Sequence, residues 1–186
     1  IDVDMNMLDK LEIIVVNDGT PDNSVSVAQR FVDWYPGTFK IINKENGGHG
    51  SAINTGVEHV SGKYFKVVDA DDWVDTLALK HFINSLEHTE ADAIIQSFRY
   101  YDISKKEYRP ADINVPDFNR EYGLSDVLNM WDDVYDGLSF HGVAYNTKFY
   151  KSLNYSLAEH VFYEDQEYAT VPFSFAETIR FIEEEL

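Results

Sequence analysis

The chain has 186 residues and a formal net charge of −18, from 33 acidic and 15 basic side chains. Its 44% apolar and 15% aromatic content suits one domain with a buried core and excludes a disordered acidic polymer. The charge excludes a nucleic-acid binder, which needs clustered Lys and Arg, and works against an anionic membrane surface, although a metal cation can still bridge such a chain to an anionic ligand.

Leu11-Glu12-Ile13-Ile14-Val15-Val16 is a short β-branched run that ends in the turn formers Asn17-Asp18-Gly19-Thr20-Pro21-Asp22-Asn23-Ser24. It predicts a buried strand leaving into a loop, with Asp22, Asn23 or Ser24 capping the next helix. That helix runs to about Tyr35, with Val27, Ala28, Phe31, Val32 and Tyr35 on one face, and Pro36-Gly37 ends it. Phe39–Ile42 predicts a second strand. Asn46-Gly47-Gly48-His49-Gly50 then reads as a glycine loop feeding a helix over Ser51–Val60, closed by Gly62. Tyr64–Val68 predicts a third strand running into Asp69-Ala70-Asp71-Asp72-Trp73. A further amphipathic helix carries Leu79, Phe82, Ile83 and Leu86, and Ala93–Phe98 predicts a fourth strand.

This alternation over residues 1–100 predicts an α/β fold with a mainly parallel sheet flanked by helices. Residues 101–186 are less regular. Asp102–Gly123 reads as a polar excursion, with helical patches at Leu124–Trp131 and Glu164–Thr170. Cys is absent, so disulfides, thiolate zinc sites and a Cys nucleophile are excluded. No apolar stretch approaches the ~18 residues of a membrane span, and Ile1-Asp2-Val3-Asp4 lacks the basic and apolar regions of a signal peptide. The chain starts with Ile, so an N-terminal portion is expected to be missing. The expected location is the cytoplasm, with association at the inner membrane face left to segments outside this chain.

Four constellations carry chemistry. Asp69-Ala70-Asp71-Asp72 follows a strand, where open α/β sheets bind ligands. Three crowded carboxylates repel one another unless a hard cation neutralises them, and Mg²⁺ typically takes one or two carboxylates and completes its shell with water and phosphate oxygens. A solvated acidic turn capping the next helix accounts for the same residues equally well. Asn17-Asp18-Gly19-Thr20 offers a carboxylate to a base or ribose, or is a plain Asx turn. Asn46–Ser51 lets backbone approach a phosphate at a helix start, or is a tight turn; it has neither dinucleotide-fingerprint nor Walker A spacing. Tyr163-Glu164-Asp165-Gln166-Glu167 contains a candidate general base, or is the acidic first turn of a helix.

Glu12–Thr20, Glu45-Asn46-Gly47-Gly48 with Asn54 and Gly56, and Gly62-Lys63-Tyr64 leading to Asp69-Ala70-Asp71-Asp72-Trp73 together resemble family 2 glycosyltransferases. The resemblance is close over residues ~10–90 and thinner over ~135–172, and the combination is more specific than any one motif. It implies the GT-A fold, Rossmann-like, with residues 1–100 binding a nucleotide-sugar donor and 101–186 forming a mixed acceptor-side part of the same domain. Asp18, Gly47, Gly48, Asn54, Asp69 and Asp71 are the implied donor-binding residues, Asp18 at the uracil of a UDP-sugar. Asp71 and Asp72 are the implied ligands of Mn²⁺ or Mg²⁺, Asp71 first, with Asp69 or Asp72 helping through ribose or water. Asp165 matches the catalytic base of inverting members. Trp73, His141 and Glu164 are acceptor-side candidates, although a packed Trp and a structural imidazole are the plainer readings of the first two. The implied reaction moves a sugar to a hydroxyl of a polysaccharide or lipid-linked acceptor, as in capsule and wall polymer synthesis.

The chain departs from the family pattern in three places. Nothing before Leu11 resembles the family's opening strand and turn, so about one strand and one helix are expected to be missing. Ile53 stands where an Arg often precedes Asn54, and Asn17 stands where many members have Asp. Two other readings compete: a nucleotidyltransferase acting on a sugar phosphate, and a non-catalytic module that binds a nucleotide sugar.

Overall fold

The computed structural model describes residues 5–111 and 113–186; residues 1–4, read above as lacking a leader, lie outside them. A one-turn helix α1 (Met5–Leu8) precedes β1 (Ile13–Asn17), α2 (Ser24–Trp34), β2 (Phe39–Asn43) and α3 (His49–His59). β1 and β2 pair in parallel, from Ile13 opposite Phe39 to Asn17 opposite Asn43. Helix α2 lays its apolar face on β2, with Phe31 stacked on Phe39 at 5.5 Å. The first strand is expected to be buried, yet every residue of β1 is only half-buried. Among the described residues it has one strand neighbour, β2, and its other edge pairs with no strand.

Helix α3 ends at His59 with Val60 extended, rather than closing on a left-handed glycine. The turn that follows is held from outside by Glu12. Its carboxylate accepts from the Ser61 and Gly62 amides at 2.7 and 3.3 Å and from Lys40 Nζ at 2.6 Å. Burial pushes the Glu12 carboxyl up, but these donors outweigh it and bring it to about 2.

Beyond the turn come β3 (Tyr64–Lys66), α4 (Thr76–Leu86), β4 (Ala93–Gln96), the hairpin β5 (Arg99–Asp102) and β6 (Glu107–Pro110), and β7 (Glu121–Tyr122). The excursion expected over 102–123 thus contains strand. The patch at 124–131 divides into α5 (Leu124–Asn129) and α6 (Trp131–Val134), followed by β8 (Val143–Asn146), α7 (Thr147–Ser152), α8 (Glu164–Thr170) and β9 (Ile179–Ile182). Helix α8 has the bounds expected of the helical patch at 164–170.

The larger sheet has the order β3-β8-β4-β9-β7. The α/β class holds, but the pairing is mixed: β8 runs antiparallel to both β3 and β4, β7 antiparallel to β9, and only β4 with β9 parallel. The reason is insertion. β3 and β4 point the same way, as a strand–helix–strand unit requires, and β8 from the second part of the chain enters between them. Strands β3 and β4 of the first part therefore share one sheet with β7, β8 and β9 of the second. Its core gathers Ala93, Ile95, Val143, Tyr145, Ile179 and Phe181 around Tyr150 and Tyr168, with Tyr145 and Tyr168 edge-on at 5.3 Å. No described helix is long and apolar enough to cross a membrane.

Candidate active site

Two groups of side chains stand at the ends of β1 and β3, and the start of α3 joins them. The first is built on Asp18. Its Oδ1 accepts from Lys44 Nζ at 2.7 Å and the Gly47 amide at 2.9 Å, and its Oδ2 from the Gly48 amide at 2.8 Å. Burial would raise this carboxyl, but the Lys44 ammonium and the two amides outweigh it and hold it below the ordinary range. Asp18 therefore shapes the glycine loop, taking amides that the sequence offers to a phosphate. Gly48 has φ +86°, which a side chain would strain. The Asn17 side-chain oxygen accepts from the Thr20 amide at 2.9 Å, an Asx turn as the plainer reading holds.

The second group follows β3. The Asp72 amide donates to the Asp69 carbonyl at 3.1 Å, and this turn sets the two side chains together. With His141 they offer three ligand atoms, all within 4.8 Å of one another. His141 Nδ1 lies 3.1 Å from Asp72 Oδ2. Asp71 does not join this group: it lies at the exposed corner of the turn, so the gathered carboxylates are those of Asp69 and Asp72. His141, an expected acceptor-side candidate, sits beside these carboxylates. Two carboxylate oxygens and an imidazole nitrogen suit Mn²⁺, and Mg²⁺ with water completing the shell. Beneath them Lys66 donates to the His141 carbonyl. Burial brings its ammonium down to about 7, against the pull of Asp72.

His49, at the first position of α3, connects this group to α8. Its Nε2 lies 3.0 Å from Asp69 Oδ1 and its Nδ1 2.8 Å from Glu164 Oε1. The hydrogen bond to Asp69 raises His49 above its ordinary value against the effect of burial, with Glu164 adding to the rise, and His49 in turn lowers Asp69. Glu164, only 8% exposed, begins α8, and Asp165 follows half-buried. Asn54 lies further along α3, where its carboxamide exchanges hydrogen bonds with Leu157 backbone at 2.9 and 3.0 Å and reaches Glu159 at 3.2 Å. It clasps the segment that leads to α8. Trp73 is 62% exposed, so it is not a core Trp, and its ring meets Tyr101 edge-on at 6.1 Å.

Motif spacing passes over His49 and Lys66. The available signal for His49 is a histidine between two glycines at a helix start; Lys66 carries none, because a Lys in a strand reads as solvated.

A divided α/β sheet with carboxylates after its third strand and a glycine-loop helix defines a GT-A architecture. The description "Glycosyl transferase family 2" matches residues 5–162, and the chain belongs to that family. Crystal structures of S. aureus TarS 1–349, one with UDP and one with UDP-GlcNAc, share the fold at TM-scores of 0.71 and 0.70 and identities of 19% and 20%. They are matched over 97% and 96% of this chain and 50% of theirs. Among curated proteins, "Uncharacterized glycosyltransferase EpsJ" of Bacillus subtilis is 33% identical over 55% of this chain and 30% of its own length. "Uncharacterized glycosyltransferase YibD" of Escherichia coli is 45% identical over 34% of this chain and 18% of its own. The chain thus spans under a third of these curated relatives and half of the TarS chains.

Proposed function

We propose that this chain carries the donor site and base of an inverting, metal-dependent glycosyltransferase that moves a sugar from a UDP-sugar to a hydroxyl of a polysaccharide or lipid-linked acceptor. The observation that carries the reading is the convergence of Asp69, Asp72 and His141 on one point, one imidazole away from the helix that bears Asp165. The TarS crystal structures with UDP and with UDP-GlcNAc support a uridine donor. The relative named "Minor teichoic acid biosynthesis protein GgaB", of Bacillus subtilis, supports a polymer of the teichoic-acid kind as acceptor.

Asp69, Asp72 and His141 would hold Mn²⁺ or Mg²⁺. Bound there, the cation supplies charge stabilisation to the departing diphosphate. The chain's own residues do the rest. Asp18 keeps Gly47 and Gly48 in place beside the nucleotide, and Asp71, at the exposed corner of the turn, is free to meet the ribose or the diphosphate through water. The Asp165 carboxylate takes the proton of the acceptor hydroxyl as its oxygen bonds to the anomeric carbon. The bond from that carbon to the diphosphate oxygen breaks, and the sugar inverts. A base so placed is worth ~10²–10⁴ in rate. Trp73 presents an exposed ring on which an acceptor sugar stacks. A purely binding module would not need Glu164-Asp165 held against the Asp69 turn.

Calorimetry with UDP tests the cation site. Wild-type chain is expected to bind UDP with Mn²⁺ and to lose at least ~10-fold in affinity with EDTA, and Asp72→Asn to lose the Mn²⁺ dependence. Equal affinity with and without metal would sink the assignment.

A further inference from the structure

His49 is held at both ring nitrogens. Both ring nitrogens meet carboxylates from different elements, Asp69 after β3 and Glu164 at the start of α8. Its ring also stands edge-on to Phe140 at 5.2 Å. The backbone on either side leaves no slack. The His160 amide donates to the Gly47 carbonyl at 3.0 Å. A Cβ at Gly50 would lie 2.3 Å from the Ala158 carbonyl oxygen and 3.2 Å from Glu164 Cγ. Helix α3 therefore begins in direct contact with the segment that enters α8. Because Glu164 is nearly enclosed, removing its imidazole partner leaves a buried carboxylate without its hydrogen bond, and the helix start must shift to rehydrate it.

We propose that His49 is a positioning residue: the Asp69–His49–Glu164 bridge sets the start of α8 against the Asp69 turn and so sets the reach of Asp165 to the acceptor hydroxyl. The inference rests on Asp165 being the base. A displacement of about 1 Å at a reacting group costs up to ~10² in rate. Such a bridge would act on turnover more than on nucleotide binding, because Asp18, Gly47 and Gly48 are held by their own hydrogen bonds and the Asp69 turn is held by the Asp72 amide.

The test uses the full chain with His49→Phe, which keeps the ring packing on Phe140 but offers no nitrogen, and His49→Gln, which restores one hydrogen bond. Amide hydrogen exchange over residues 164–170 is expected to quicken by at least ~10-fold in His49→Phe and by less in His49→Gln, with β4 and β9 unchanged. Sugar transfer, measured with UDP-GlcNAc among other donors, is expected to lose ~10–100-fold in kcat with donor KM moved under ~2-fold. Combining His49→Phe with Glu164→Gln is expected to cost no more than the worse single change. Unchanged exchange at α8, multiplying losses, or a loss confined to donor KM overturns the proposal. If wild type transfers no sugar while α8 loosens as expected, the assigned reaction fails and the bridge stands as a structural one.

Discussion

The β1–β2 pair and the centre of the five-stranded sheet differ most in how deeply their strands lie. Every residue of β1 is half-buried, whereas Ala93–Gln96 of β4 is buried throughout. Each sheet nevertheless supplies half of the candidate site. The shallow pair positions Asp18 and the glycine loop; in the larger sheet the edge strand β3, half-buried like β1, leads to the Asp69–Asp72 turn, and the buried strand β8 follows His141. The difference teaches where rigidity is needed. The glycine loop sits on the part with fewer buried contacts, and His141 sits beside the strand with more.

Substitutions can break or sharpen that contrast. The largest effect on stability is expected from Ile95→Ala in the deep sheet, a loss of ~2–5 kcal/mol from lost burial and the cavity left behind. Val15→Ala in β1 is expected to cost no more than about 1–2 kcal/mol, because less area leaves water. Urea denaturation of the two variants measures this, and equal losses would erase the contrast.

A smaller effect falls at the junction between the sheets, where Glu12 holds the α3–β3 turn. Its folded carboxyl lies near 2, below its ordinary value of 4.5. A carboxyl lowered by folding adds stability that is complete above 4.5 and is lost as pH falls toward 2. Glu12→Gln is therefore expected to lower stability at pH 7 by roughly 1 kcal/mol, well short of the full shift because solvent screens the pair. The gap to wild type should close between pH 4.5 and 2 in denaturation curves taken across that range. The smallest effect is expected where Lys10 meets Glu87 at 2.6 Å, both side chains nearly half exposed. Lys10→Gln should leave the urea midpoint unmoved, and a clear drop would mean that this ion pair clamps the two parts together.

Much of the first hundred residues was legible because its signals are local. β-branched runs ending in turn formers mark β1 and the strand before Asp69, and apolar spacing marks α2 and α4. The glycine run marks the start of α3, and the acidic start marks α8. β8 was not legible. Val143-Ala144-Tyr145-Asn146 is a four-residue run that becomes a strand because β3 and β4 leave a gap between them that it fills. Its insertion turned the expected parallel sheet into a mixed one and brought His141 to Asp72.

By itself, then, the sequence determined the class of fold, the family resemblance and the candidate carboxylates, since each rests on residue types within a few positions of one another. The tertiary structure alone decided which carboxylates converge. It put Asp69 and Asp72 together and left Asp71 at the corner of the turn. It gave Asp18 to the glycine loop, and it placed one histidine between two acids 115 and 20 residues away along the chain. Such convergence depends on long-range strand order and close backbone approach, and no local pattern of residues encodes either.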